Sequence, residues 1–265
     1  MTDKPSNRRL ALLVEYDGTA YGGSQHQKNA PTVQGVLEDA LSRLTGEQIR
    51  VALAGRTDAG VHALGQVAAF STKSHHRPDV VVRACNARLP RDVVVRAAAE
   101  VDRGFNPRNH ARSRHYRYTI ATRATRPALL RSRAWHVPQD LDLAAMTAAA
   151  GMLQGSHDFA AFTAPSEAER GSTVRVVSRA EWSQAGGVIR FDIEANAFLQ
   201  RMVRRMVAAL VEVGHGRRTM SEFQTLVVEA APGAATATAP PQGLCLIRVR
   251  YESGLFDGDE TDENI

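Results

Sequence analysis

The chain has 265 residues, 43% hydrophobic and 23% charged, which is an ordinary globular composition and enough for one large domain or two small ones. No apolar run nears the ~20 residues of a membrane span, and the N-terminal MTDKPSNRR lacks the apolar centre of a secretory signal. The net charge of +5 understates the body, because the closing LFDGDETDENI carries five acids and no base, leaving +10 for the rest.

That positive body is rich in arginine, whose planar fork suits phosphates and base edges. A nucleic acid is therefore one expected partner; a coding bias toward arginine and alanine is the plainer explanation. Cys85 and Cys245 sit in apolar patterns, which fits two buried thiols in a reducing cytoplasm.

Taken in order, LALLVEY (Leu10 to Tyr16) alternates as a half-buried strand. Thr32 can cap a helix whose apolar face is Val33, Leu37, Ala40, Leu41 and Leu44, with Gly46 as its stop. Arg50 to Ala54 and Gln66 to Phe70 read as strands flanking AGRTDAGVHALG. Pro78 opens a helix expected to reach Leu89, and Val93 to Val101 is a strand. The second half begins with the strand His115 to Ala121, with Tyr116, Tyr118 and Ile120 on one face. Asp140 can cap a helix over Leu141 to Leu153. Thr173 to Trp182 and Val188 to Ala195 form a hairpin around Ala185, Gly186 and Gly187. A long helix is expected from Ala197 to Val213, then a shorter one opened by a Ser221/Gln224 capping box. Leu244 to Tyr251 is the last strand.

Both halves thus read β-α-β-β-α-β, the ferredoxin-like order, and predict an α+β fold. The expected architecture is two such halves joined into one long, mainly antiparallel sheet with helices packed on one face. The expected divisions are a flexible N-terminus (1–9), an N-terminal half (10–104), a C-terminal half (105–255) and a disordered acidic tail (256–265).

GRTDAGVH, between two strands, is a loop punctuated by Gly55 and Gly60. A loop held by strands is a common home for a reactive side chain. Asp58 there can act as nucleophile, base or charge stabiliser if a cation keeps it ionised; Arg56, Arg204 and Arg205 are candidates. The plainer alternative is an aspartate that ties a turn. His62 with Asp58 or the His75–His76 pair is a weak metal candidate, since HExxH, CxxC and carboxylate clusters are all missing. FNPRNHARSRHYRY (Phe105 to Tyr118) interleaves bases with aromatic rings, as a surface that stacks and neutralises RNA would.

These segments together closely resemble the tRNA pseudouridine synthase A family: LVEYDGTAYGG, AGRTDAGVHALGQVAAF, FNPRNHARSRHYRY, GSHDFAAFT, ANAFLQRMVRRMV and TAPPQGL, in that order along nearly the whole chain. The resemblance implies the pseudouridine synthase fold, with Asp58 as the essential aspartate. It implies that Arg56 helps hold the target nucleotide out of its stack, that Tyr116 packs on the uracil, that Arg204 pairs with the aspartate, and that Leu244 helps close the pocket. Similar enzymes are homodimers that act on tRNA, isomerise uridines at positions 38 to 40 in the anticodon arm, and use no cofactor; a cytoplasmic location with no metal and no membrane is the expectation from the composition and motifs above. One departure is that Ser24 stands where the family pattern YxGWQ has tryptophan. An RNA-binding module without chemistry and a small-molecule hydrolase are the competing classes; neither accounts for all the blocks.

Overall fold

The computed structural model describes residues 7–258. Its first elements are β1 (Arg8–Tyr16), α1 (Val33–Thr45), β2 (Val51–Leu53), β3 (His62–Thr72), α2 (Pro78–Asn86) and β4 (Val93–Val101). There follow β5 (Ala111–Ala121), β6 (Trp135–His136), α3 (Leu143–Gly151), β7 (Gly155–Asp158), α4 (Pro165–Ala168), β8 (Val174–Ala185) and β9 (Val188–Ala195). The chain closes with α5 (Met202–Gly214), α6 (Met220–Val228) and β10 (Leu244–Tyr251). Ten strands and six α-helices among the described residues make a mixed α/β fold, as the sequence leads one to expect. The expected flexible N-terminus and acidic tail fall largely outside the described residues: β1 already begins at Arg8, and the last described residues, Leu255–Gly258, form turns.

The chain divides into two units, one running to Arg112 and resuming at Leu246, the other spanning Ser113–Cys245. In the first, β1 lies antiparallel between β3 and β4, and β2 pairs antiparallel with β3. β10 follows β3 in the strand order, so the end of the chain returns to the unit where it began. Leu10 to Val14 is buried on both faces rather than one. Leu-Ala-Leu-Leu-Val does not truly alternate, and an unbroken apolar run marks a strand covered on both sides.

Thr32 caps α1 by accepting from the Gly35 N–H, and Gly46, at φ 70, ends it. Leu44 is only half-buried; the remaining place on the buried face goes to Glu38, which binds Arg50 and the Val51 N–H, both at 3.0 Å. The second helix stops at Asn86, short of Leu89, because the Asn86 amide pairs with both main-chain groups of Val95 at 2.8 Å and ties the helix end to β4. Cys85 is fully buried, its thiol pushed up to about 11 by that burial, and neither cysteine is in a disulfide.

In the second unit β9 pairs antiparallel with β5 and β8, β7 with β8, and the short β6 runs parallel to β5. The β8–β9 hairpin turns at Gly186, φ 58, as expected. Three helix starts differ from the sequence expectation. Asp142, not Asp140, caps α3 by accepting from the Ala145 N–H at 2.9 Å. α5 begins at Met202 rather than Ala197, because the Asn196 side chain accepts from Val176 and Ala197 and diverts the chain, which enters the helix through Arg201 at φ 60. The capping box of α6 is Thr219 with Glu222, not Ser221 with Gln224. Phe159, Phe162 and Phe223 form a row of buried rings at 6.2 and 6.4 Å, the centre of this unit's core.

Candidate active site

Gly55 to Val61 connects β2 to β3, and every hydrogen bond described below for it lies within the first unit. The amide of Gln66, buried in β3, donates to Gly55 O at 2.9 Å and accepts from its N–H at 3.3 Å. Thr57 is held at three atoms. Its N–H donates to Ser24 Oγ at 2.8 Å, its carbonyl accepts from the Ser24 N–H at 3.1 Å, and its hydroxyl lies 2.8 Å from the Tyr16 phenol. The pairing of β1 with β3 shifts register between Val14 and Tyr16; such irregularities re-aim a side chain, here the ring that meets Thr57.

Asp58 follows, half-buried, while Arg56 is exposed. The Asp58 carbonyl accepts from the Val61 N–H at 3.1 Å, and Gly60 supplies the positive φ of 78° that this turn needs. The turn is therefore closed by a main-chain bond. His62 is buried with Nδ1 accepting from the Gly18 N–H at 3.0 Å, so that lone pair is taken by the backbone. His75 and His76 are exposed, and among the described residues no three His, Cys, Asp or Glu side chains group as metal ligands.

The loop lies so close to the preceding segment that two glycines are obligatory. A Cβ on Gly18 would sit 2.0 Å from Val61 O. One on Gly23, at φ 117, would sit 2.9 Å from Thr57 O. Gly23→Ala is thus expected to destabilise the protein by about 1–3 kcal/mol through strain and a displaced loop, to be read as a lowered urea midpoint. A midpoint within error of the unmutated protein would show that the loop gives way freely.

Tyr116, Arg204 and Leu244 belong to the second unit. Tyr116 lies on β5 opposite Ile193, with its ring edge-on to Phe198 at 5.2 Å. Arg204 is on α5. Its Nε donates to Ala239 O at 2.8 Å, and its own carbonyl accepts from the Ala239 N–H at 3.0 Å. Next along, Pro240 O accepts from the Tyr118 hydroxyl at 2.8 Å, and Gly243 lies against the Tyr118 ring, where a Cβ would fall 2.6 Å from it. Arg204 and Tyr118 together fix Ala239 to Gly243, and hence the buried Leu244 that follows. Burial pushes the Tyr118 phenol far above its ordinary value, against the opposing charge of Arg204. Arg205, the other cation considered, donates instead to Thr163 O at 2.9 Å.

The stretch from Phe105 to Tyr118 is not the open stacking surface expected of it. Phe105, Tyr116 and Tyr118 are all buried, and Phe105 packs on Tyr251 at 5.3 Å. The exposed members are Arg108, Asn109, His110 and Arg112. Sequence reasoning also passed over Ser24, Thr57, Gln66 and Tyr118 as supports. Gln66 offered one signal, a polar side chain inside an otherwise apolar strand.

The family model for tRNA pseudouridine synthase matches residues 12–108 and 149–252. The chain is 47% identical over 246 residues to the tRNA pseudouridine synthase A of Geobacter sulfurreducens, covering 92% of this chain and 100% of that one. It is 45% identical over 256 residues to the tRNA pseudouridine synthase A of Chloroflexus aurantiacus, covering 94% of this chain and 91% of that one. To that of Myxococcus xanthus it is 44% identical over 246 residues, 93% of each. The chain belongs to the tRNA pseudouridine synthase family, whose members are isomerases.

Proposed function

We propose that this protein isomerises uridine to pseudouridine at one or more of positions 38, 39 and 40 of tRNA, as a cytoplasmic homodimer with Asp58 as its catalytic residue. The observation that carries this reading is the GRTDAGVH loop itself. Its backbone is anchored through Gly55 and Thr57, and its turn is closed by a main-chain bond from Val61 N–H to the Asp58 carbonyl. A half-buried carboxylate on a loop whose backbone is held at several points, in a member of this family, is best explained by chemistry.

The reaction breaks the bond from uracil N1 to the ribose, turns the base, and joins C5 to the same sugar carbon. The C5 proton is lost and N1 gains one, so nothing is oxidised and no group is imported. A stacked uridine must first be flipped out, which costs about a few kcal/mol. Arg56, exposed on the loop, is assigned to holding that flipped state. Asp58 then acts on the ribose, either by attack at the anomeric carbon or by taking a proton from its neighbour. Tyr116 is assigned to keeping the released uracil close, so that rejoining outruns escape, and Leu244 to closing over it. Arg204 is assigned to keeping Asp58 charged; its bond to Ala239 limits where its guanidinium can point.

The test is to incubate the protein with unmodified tRNA transcripts and map pseudouridine. Product confined to positions 38–40 is expected, and its absence there overturns the proposal. Light scattering that returned a monomer of full activity would overturn the dimer. Binding should weaken steeply with salt, since cationic contacts to phosphates release counterions, and the +10 body supplies the cations. Filter binding between 50 and 200 mM salt should show a loss of about 10³-fold or more if at least six phosphates are contacted. Deleting residues 256–265 should leave binding equal or tighter, because the tail opposes the phosphates; markedly weaker binding would give the tail another role.

A further inference from the structure

We infer that Ser24 is a positioning residue for the Asp58 loop, acting through Thr57. This rests on the reading of Asp58 as the catalytic residue and adds to it a second, distant part of the chain. Ser24 is 0% exposed, and nothing about its type demands burial. Its hydroxyl accepts the Thr57 N–H at 2.8 Å while its own N–H donates to the Thr57 carbonyl at 3.1 Å. The two bonds grip both sides of the residue immediately before Asp58. Ser24 is itself anchored, because its carbonyl accepts from the Gln34 N–H at 3.0 Å in the first turn of α1. Rigidity therefore passes from a helix through Ser24 to Thr57, and the Asp58–Val61 turn holds the other side. The backbone on both sides of Asp58 is thereby held.

The site also fits a small acceptor. Gly23, next to Ser24, already lies against Thr57 O, where a Cβ would come within 2.9 Å. A hydroxymethyl group reaches the Thr57 amide from there. A large aromatic, the residue the resembling pattern places here, has no acceptor to offer it. The alternative is that Ser24 only satisfies a buried amide and supports the fold without bearing on the reaction.

The test uses the full-length protein and an unmodified tRNA transcript, at saturating enzyme and single turnover. Ser24→Ala is expected to lower the rate about 10- to 100-fold, the scale of a misplacement of about 1 Å. Its tRNA affinity should stay within about twofold, and Thr57 amide exchange should speed up. Ser24→Thr, which keeps the hydroxyl, should recover most of the rate. If Ser24→Ala does not fold, Ser24→Cys, nearly the same shape with a weak acceptor, carries the same expectation. An unchanged single-turnover rate in the folded variant, with only a lower melting temperature, overturns the proposal. Asp58→Asn run alongside separates the two levels. If it is inactive, the Ser24 result stands or falls alone; if it stays active, the reading of Asp58 fails and the positioning role fails with it.

Discussion

Asp58→Asn is expected to bind tRNA normally and to form no detectable pseudouridine even at enzyme excess. Asparagine keeps the size of the side chain and removes its charge. Other groups hold the loop's backbone: Gln66 holds Gly55, Ser24 and Tyr16 hold Thr57, and the turn closes from the Asp58 carbonyl. The substitution should therefore change stability by at most about 1 kcal/mol. A carboxamide offers neither a nucleophile for the anomeric carbon nor a base for the neighbouring proton, so the rate should fall by at least about 10³-fold. Arg204→Ala should behave differently and leave a weak residual rate. It removes a cation and also the Nε bond that holds Ala239, loosening the segment before Leu244. Single-turnover assays with a thermal melt of the same samples distinguish these outcomes. Substantial product from a well-folded Asp58→Asn protein would falsify the catalytic assignment and make the residue a turn former.

Asp192→Ala should be among the most destabilising single substitutions in the second unit, by about 3–5 kcal/mol. Asp192, on β9, is 4% exposed and sits opposite Arg117 of β5. Its carboxylate accepts from His115 Nε2 at 2.6 Å and from Arg117 Nε at 3.0 Å. Both partners are buried, so removing the carboxylate strands a cation and a polar ring away from water. A loss of that size is a large share of the ~5–15 kcal/mol that holds a domain folded. Burial pushes the Asp192 carboxyl up, but the hydrogen bonds and charges of His115 and Arg117 outweigh it and hold the group below the usual carboxylate range. With the folded value below the unfolded one, this stabilisation is complete above about pH 4 and is lost as pH falls through the folded value. Urea unfolding at pH 7, 5 and 3 should show the gap between the unmutated protein and Asp192→Asn narrowing at the acid end. A gap that does not change with pH would mean that the pairing contributes no linkage. Activity should suffer as well, since His115 and Arg117 flank Tyr116 on β5 and alternation places them on the face opposite it.

Much of the local structure was legible in the residues. The span of β4 matches its apolar run, α1 starts and stops at Thr32 and Gly46, and the β8–β9 turn falls at Gly186. Each of these depends on groups within a few residues of one another, which propensity, capping and turn chemistry describe. The misplaced helix starts had two adequate local candidates or a distant competitor. Thr219 and Ser221 both satisfy the capping pattern, and both Asp140 and Asp142 can cap. α5 was shortened by an asparagine that bonds across to β8.

By itself the sequence determined the blocks of the pseudouridine synthase pattern, the loop that carries Asp58, and the order of strands and helices in the first unit. Only the tertiary structure decided what surrounds them. It returned the chain from Leu246 onward to the first unit and buried both faces of β1. It set Ser24 against Thr57, 33 residues away, and Arg204 against Ala239, 35 away. It also buried Phe105, Tyr116 and Tyr118 of the basic stretch. The physical reason is the range of the interaction. A cap or a turn is chosen by neighbours whose distance the backbone already limits. A serine that accepts one particular amide from a remote loop depends on where the whole chain folds back, and that is selected by burial summed over the core rather than by any local pattern.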